Sequence, residues 1–518
     1  LNDIKRLIKH HLPILDILAL FAGAVLPLAF APFNFFLLAV ISPALLFYCW
    51  LDINYKRAYW RGFLFGVGQF GVGVSWVYVS IHVYGDTIPP LAVFLTLVFV
   101  VVLAQFPAWA GLLFARLFPK PTFLKIFAFP LLWVLMDWIR SWIFTGFPWL
   151  LLCYSQTNSP LRGYIPILGD HGVTFLLTLM SAFLIFIFLS SQRKLGPRLI
   201  FRNQAWIPAF AGMTIVMIVW LGGYYLSRII WNKPLGNPIQ VSLIQGNIPQ
   251  ELKWNPDHIK PTLDLYENLT NQHWDSKIII WPEASVTLPM PYGKDFIDQL
   301  DKQAKQHHVA LIVGVPVQAE NQFYFYNAIL SLGIGSGYYY KRHLVPFGEY
   351  VPLETWLRGL MTFFDLPMSN MIKGSYKQPL LQADSLTIAP FVCYEIAYAE
   401  DLYRALPKAN ILVTLSNDTW FGDSLAPIQH LQIGQYRAIQ GARELLFCTN
   451  NGITAIVNSK GVIIKQIPQF QTAVLTGMIQ PMTGRTPWSI IGDAPMIILI
   501  GSTFVIFWLI ERRCKKLK

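Results

Sequence analysis

The sequence predicts two architectures in one chain, a polytopic α-helical membrane domain and a layered α/β domain. Three observations carry this. Hydrophobic residues make up 54% of the 518 positions and charged residues only 13%, too apolar for an ordinary soluble protein. The apolar residues before Trp231 gather in blocks close to the ~20 residues a helix needs to cross a bilayer. From Ile239 onward the pattern becomes short apolar runs alternating with polar helical stretches, as in layered α/β folds.

Seven apolar blocks come first: Pro13 to Phe30, Phe33 to Trp50, Gly62 to Ile81, Leu91 to Phe114, Phe123 to Trp138, Val173 to Leu189 and Ile207 to Leu226. An eighth, Pro495 to Ile510, follows the long polar region. Their number argues against a removed signal peptide. Lys5, Arg6 and Lys9 precede the first block, and Arg512, Arg513, Lys515 and Lys516 follow the last. Further cations lie between alternate blocks: Lys56, Arg57 and Arg61, then Arg116, Lys120 and Lys125, then Arg193, Lys194, Arg198 and Arg202. Positive charge marks the cytoplasmic side, so these loops and both termini are expected there, with the polar region on the far side. The expected domains are 1–232, 233–488 and 489–518. Topology thus accounts for the formal charge of +12, and nucleic acid is not expected as a partner. Five cysteines without a CxxC pair indicate neither a disulfide framework nor a zinc site.

Asp137 and Arg140, among Trp138, Trp142 and Trp149, read either as an interfacial belt with a paired charge or as a lateral opening for a lipid. Trp76, Tyr78, His82 and Tyr84 read as packing on the third helix. In the polar region, strands are expected at Ile239 to Ile248, Lys277 to Trp281, Ala310 to Val317, Asn327 to Leu332, Leu386 to Cys393, Ile411 to Leu415, Leu445 to Thr449 and Thr454 to Val457. Helices are expected at Pro256 to Asn271, Lys294 to Gln306 and Pro427 to Ala442.

Three strand ends carry chemistry. Phe391-Val392-Cys393-Tyr394-Glu395 puts a thiol at the end of an apolar strand, Ile280-Trp281-Pro282-Glu283 a carboxylate, and Tyr338-Tyr339-Tyr340-Lys341 an amine. Open α/β sheets bind ligands at such ends. A thiol attacks a carbonyl only as thiolate, so it needs a proton acceptor, which Glu283 supplies, and a cation for the oxyanion, which Lys341 supplies. The backbone N–H of Tyr394 offers a second oxyanion donor. Taken singly, a buried Cys, a Glu after Trp-Pro and a Lys after tyrosines are each more often structural. Cys448 has that structural look and is assigned to the core.

Together, strand-Pro-Glu at Glu283, Lys-Arg-His-Leu-Val-Pro-Phe-Gly-Glu-Tyr from Lys341 to Tyr350, and Cys-Tyr-Glu from Cys393 to Glu395 resemble the nitrilase superfamily, in order and in context. With the membrane helices, the chain resembles the bacterial apolipoprotein N-acyltransferase family over nearly its whole length. Phe144-Thr145-Gly146-Phe147-Pro148-Trp149, Gln245-Gly246-Asn247-Ile248-Pro249-Gln250 and Ser416-Asn417-Asp418-Thr419-Trp420-Phe421-Gly422 also match. Cys153, where the family pattern has glycine, departs from it.

The resemblance implies an αββα sandwich with Cys393 as nucleophile, Glu283 as general base and Lys341 as oxyanion cation. It implies Glu349 as a second carboxylate orienting Lys341, with Asn327, Tyr394 and Glu395 in support and Trp254 near the substrate entrance. The implied reaction takes an acyl chain from a phospholipid to the N-terminal amine of a diacylated apolipoprotein. It needs no metal or organic cofactor, and nothing requires more than a monomer at the bacterial inner membrane, with the catalytic domain periplasmic. The residues alone support thiol acyl transfer beside a membrane, and leave open a membrane-anchored amidase that releases the acyl group to water. The apolar run from Trp356 to Met371, with Phe363 and Phe364, reads as a lipid-capturing arm or a buried cluster. Trp420 and Phe421 line an acyl pocket or simply pack.

Overall fold

The computed structural model describes residues 2–119, 124–191, 206–320, 323–352 and 370–503. The chain divides into two compact units, one drawn from Leu1–Ser75, Leu97–Ile229 and Ile490–Lys518, the other from Trp76–Thr96 and Ile230–Ser489. Phe363, Phe364, most of the apolar run that contains them, and the cations at 193–202 and 512–516 lie outside the described residues.

The first unit is helical. Among the described residues, Pro89–Leu117 and Pro160–Leu189 are long and apolar enough to cross a membrane. A third span results if Tyr55–Gly73 and Val77–Tyr84, bent by 61°, are taken together. Pro13–Ala29, Leu38–Trp50, Val216–Leu226 and Ala494–Thr503 are shorter apolar helices. Gly62 to Ile81, expected as one helix, is therefore broken after Gly73. The three glycines Gly68, Gly71 and Gly73 weaken its end, and Trp76–Thr96 joins the second unit. Small residues let helices touch. A Cβ at Gly23 would come 1.9 Å from Phe65 O, and one at Gly68 2.3 Å from Leu20 O. The buried Arg140 pairs with Asp137 (2.9 Å) and donates to the carbonyls of Phe147 and Trp149, both at 2.7 Å. That is the paired charge foreseen for this stretch, here capping the Phe147–Trp149 turn.

In the second unit the strands are β1 (Asn232–Pro234), β2 (Ile239–Gln245), β3 (Ile278–Ile280), β4 (Ala310–Gln318) and β5 (Phe325–Gly333). Then come β6 (Gly335–Ser336), β7 (Tyr338–Tyr340), β8 (Leu381–Ala383), β9 (Leu386–Val392) and β10 (Ile411–Ser416). The last are β11 (Leu445–Thr449), β12 (Thr454–Val457), β13 (Ile463–Ile467), β14 (Ala473–Ile479) and β15 (Met482–Gly484). Two mixed sheets form, in the orders β14-β2-β3-β4-β5-β7 and β13-β12-β11-β10-β9-β8-β6, and β1 pairs with β15. β2, β3 and β4 run parallel, as do β9, β10 and β11, so β3 and β9 end in loops with carbonyl ends free of hairpins.

The sheets meet face to face. Cys448 on β11 has its Sγ 3.4 Å from Ile244 O on β2 and 3.5 Å from Ile280 O on β3, a core position as expected. Helices cover the outer faces. Pro256–Asn271 and Lys294–Gln306 lay Leu263, Tyr266, Ile297 and Leu300 on Ile279, Trp281 and Leu311. Ala426–Gly441 packs Gly434 against Leu445 and Phe447. The result is a four-layer αββα sandwich. β11, β12 and the helices Pro256–Asn271 and Lys294–Gln306 form over the residues expected.

Gly314 on β4 fixes where the β3 end can sit. A Cβ there would come 2.5 Å from Pro282 O, 2.6 Å from Ala284 N and 2.8 Å from Glu283 Cα. Gly314 O also receives Ser285 Oγ (3.2 Å) and Val286 N (3.1 Å). Gly314→Ala is expected to push the Glu283 loop off β4 and to destabilise the unit by about 1–3 kcal/mol, the usual range for overpacking. Thermal unfolding of the full chain in detergent checks this as a lowered midpoint.

Candidate active site

Glu283 follows β3, Lys341 follows β7, Cys393 follows β9, and Asn327 lies within β5. Their neighbours in the two sheets bring them together. β5 pairs with β7, and Lys341 N donates to Asn327 O at 2.8 Å. From that register Asn327 Nδ2 reaches Glu283 Oε1 (2.6 Å) and Glu349 Oε1 (2.9 Å). Lys341 Nζ stands 2.8 Å from Glu349 Oε1 and 3.6 Å from Glu283 Oε1. Both carboxylates are held at their second oxygen by main-chain donors, Glu283 Oε2 by Asn417 N (2.7 Å) and Glu349 Oε2 by Val345 N (2.8 Å). All four side chains are buried.

Burial works to lower the pKa of Lys341, but the charges of Glu349 and Glu283, with Cys393 adding to them, hold its ammonium well above the ordinary lysine range. The Cys393 thiol moves the same way for a different reason. Burial pushes it up, the Glu283 charge adds to the rise, and the Lys341 charge opposes it. The resting site therefore holds a protonated thiol within reach of the Lys341 and Glu283 charges. Cys393 is a non-glycine residue at φ +53°, a left-handed conformation that costs on the order of 1–3 kcal/mol and is often found where a nucleophile must be presented.

Glu395 ties the Cys393 turn to the lysine loop. It is fully buried and accepts from Val392 N (2.9 Å), Arg342 N (2.5 Å), His343 N (3.1 Å) and the Tyr339 hydroxyl (3.0 Å). Burial, and then the nearby Asp401, push its carboxyl up to about 7, against the pull of His343 and the Val392 N–H. Arg342 pairs with Asp401 at 2.7 Å. The Tyr394 ring stands edge-on to Tyr398, 5.2 Å away, and Tyr398 stacks on His343 at 3.7 Å.

The expected substrate-contact residues divide. Trp254 is half-buried, directly after the short helix Gln250–Lys253. Trp420 and Phe421 pack on the segment that follows the helix break: Ser80 Oγ donates to Trp420 O (2.7 Å), Phe421 meets Trp76 at 4.9 Å, and Trp420 meets Tyr84 at 6.1 Å. At the flanks of the apolar run, Val351 packs with Ile81, Leu95 and Phe347, and Met371 N donates to Glu349 O at 2.8 Å.

Sequence reasoning gave no role to Lys253, Gln250 or Asn417. Lys253 Nζ is buried and donates to the carbonyl of Glu283 at 3.0 Å. Burial lowers it to about 8, against the charges of Glu283 and Cys393. Gln250 Oε1 accepts from Asn417 Nδ2 at 2.8 Å, so one short helix is tied both to the Glu283 loop and to the residue after β10 that holds the Glu283 carboxylate. The matched runs ending at Gln250 and starting at Ser416 held the signal; the side-chain roles within them did not show. Among the described residues no group of three or more His, Cys, Asp or Glu is placed to hold a metal ion.

Comparison with known proteins agrees with both halves. Residues 22–183 match the family model for the apolipoprotein N-acyltransferase N-terminal domain, and residues 240–487 match carbon-nitrogen hydrolase. The chain is similar to apolipoprotein N-acyltransferase of Coxiella burnetii, with 44% identity over 91% of this chain and 95% of that one. It is similar to the same-named protein of Methylococcus capsulatus, 40% identical over 96% of each, and of Pseudomonas aeruginosa, 41% identical over 93% of this chain and 94% of that one. Among solved structures, Saccharomyces cerevisiae Nit3, a nitrilase superfamily member, matches with a TM-score of 0.37 and 15% identity, covering 48% of this chain and 92% of that one.

The electrostatics predict opposite effects of two substitutions on the Cys393 thiol. Lys341→Met removes the charge that lowers it, so the midpoint of its pH-dependent alkylation by iodoacetamide rises. Glu283→Gln removes a charge that raises it, so that midpoint falls. Rates of alkylation across alkaline pH, followed by mass spectrometry of the Cys393 peptide, measure both.

Proposed function

The chain belongs to the apolipoprotein N-acyltransferase family and is an N-acyltransferase with a carbon-nitrogen hydrolase domain, and we propose that it carries a phospholipid acyl chain on Cys393 to the lipoprotein amine. The observation that carries this reading is the buried Lys341 ammonium between Glu349 and Glu283, with its charge acting on the Cys393 thiol.

In the first half-reaction Cys393 Sγ attacks the ester carbonyl carbon as Glu283 takes the thiol proton. Lys341 Nζ and the Tyr394 N–H face the oxyanion, and Glu349 and Asn327 hold Lys341 and Glu283 in place. The C–O bond breaks, Glu283 returns the proton to the departing glycerol oxygen, and a lysophospholipid leaves a thioester. In the second half, the neutral α-amine of a diacylglyceryl cysteine attacks the thioester carbon. Glu283 takes the amine proton and passes it to the departing Cys393 sulfur, and the amide is complete. Catalysis needs only these side chains, all from one chain, so a monomer suffices.

The membrane reading rests on the apolar blocks and on the placing of Lys and Arg. Seven helices in 1–232 and one in 489–518 cross the bacterial inner membrane, both termini are cytoplasmic, and the catalytic domain at 233–488 is periplasmic. Trp254, Trp420, Phe421 and the run that holds Phe363 and Phe364 form the lipid-contacting surface. Support comes from the hydrogen bond of Met371 N to Glu349 O, which holds the described end of that run beside the site.

The test uses the full chain in detergent micelles with a labelled phospholipid and a synthetic diacylglyceryl-cysteine peptide. N-acylated peptide is the expected product. Cys393→Ala and Glu283→Gln lower its formation by at least about 1,000-fold, in line with loss of a nucleophile or its base. Undiminished product from Cys393→Ala refutes the reading.

A further inference from the structure

His430 is fully buried on the helix Ala426–Gly441, and both of its ring nitrogens face oxygen. Nδ1 lies 3.1 Å from Asp418 Oδ1, and Nε2 lies 3.1 Å from the main-chain oxygen of Cys393. The rings of Phe421 and Phe447 stand edge-on to the imidazole, 6.2 and 5.0 Å away. Asp418 is itself fully buried and also accepts from Ser416 Oγ at 2.6 Å.

Counting protons constrains this pair. The Cys393 carbonyl can only accept, so Nε2 must carry a hydrogen to bond it. A neutral imidazole has one N–H, which leaves Nδ1 bare opposite a carboxylate oxygen that is also bare. Two lone pairs facing each other at 3.1 Å in a dry interior repel, so the Asp418–His430 pair holds one further proton between them.

The bond to Cys393 O bears on the reaction through peptide geometry. The C=O of Cys393 and the N–H of Tyr394 belong to one planar trans unit and point in opposite directions. Fixing the oxygen fixes the N–H. An N–H donor on the oxygen also draws electron density through the amide and makes the opposite N–H a better donor.

We propose that the Asp418–His430 pair is a positioning device for the nucleophile turn. Its Nε2–H holds the Cys393 carbonyl, keeps Cys393 in its left-handed conformation and aims the Tyr394 N–H at the acyl oxygen. This rests on the reading of Cys393 as acyl carrier, and it adds His430 and Asp418 to the residues on which attack depends. Neither touches the acyl group.

The test measures acyl-enzyme formation by full-length His430→Phe and His430→Gln, in micelles containing a diacyl glycerophospholipid with a labelled chain. Misaiming one oxyanion donor is expected to slow thioester formation by on the order of 100-fold in His430→Phe, with the half-saturating lipid concentration unchanged. His430→Gln, which keeps a donor for the carbonyl, recovers part of the rate. A residue that merely fills space would tolerate Phe, so an unchanged rate in His430→Phe overturns the proposal, as does a loss seen only as weaker lipid binding. Nitrogen-15 spectra of the histidine-labelled wild-type chain, assigned by difference from His430→Gln, are independent of how the variants fold. A hydrogen on Nε2 is expected, and a hydrogen on Nδ1 alone overturns the proposal. That spectrum keeps its meaning even if Cys393→Ala still forms an acyl-enzyme, so failure of the carrier reading is distinguishable.

Discussion

A buried ammonium organises this protein. Lys341 is 1% exposed, and taking a charge that far from water costs several kcal/mol unless it is closely paired. Glu349 at 2.8 Å and Glu283 at 3.6 Å provide the pairing. Each carboxylate is in turn anchored by a main-chain N–H and by Asn327. Removing any one member leaves another buried and uncompensated. Glu283, Asn327 and Lys341 sit on or directly after strands of one sheet, while Cys393 and the Asn417 that holds Glu283 follow strands of the other. The site therefore exists only when the two sheets are face to face.

Cys393 depends on the same arrangement by a second route. Cys393 begins a tight turn at φ +53°, and three groups keep it there: Glu395 on Val392 N, His430 on its own carbonyl, and the sheet register of β9 with β10. Glu395 also grips the amides of Arg342 and His343, so the turn bearing the thiol and the loop bearing the ammonium share one buried carboxyl. Strain at the sulfur and charge at the amine are thus held by one network. Burial and the Glu283 charge hold the Cys393 thiol protonated at rest, and in the proposed reaction attack therefore waits on a proton acceptor rather than drawing on a standing thiolate.

Much of this was legible before any coordinates. The helices Pro256–Asn271 and Lys294–Gln306 and the strands β11 and β12 carry strong periodicity and formed over the residues expected. The edge strands β13 and β14 escaped notice because Lys465, Gln466 and Gly477 blur the apolar alternation, and edges tolerate that. The break after Gly73 was hidden inside a continuous apolar run, since hydropathy records burial in lipid and not helix continuity. Motif order pointed to Glu283, Lys341, Cys393 and Glu349, and the structure gathers them. Lys253 and His430 could not be found that way. A lysine before a tryptophan and a histidine inside a helix look like surface residues, and only the fold shows that one is buried on the carbonyl of Glu283 and the other on that of Cys393.

The central claim is that the acyl chain rests on one sulfur held by this network. Intact-mass analysis and peptide mapping of the protein after exposure to phospholipid vesicles, with no acceptor peptide present, test it directly. The account predicts a single added acyl mass on the peptide containing Cys393, released by hydroxylamine as a thioester should be. An acyl group on another residue, or none while acylated product still forms once acceptor is added, would contradict it.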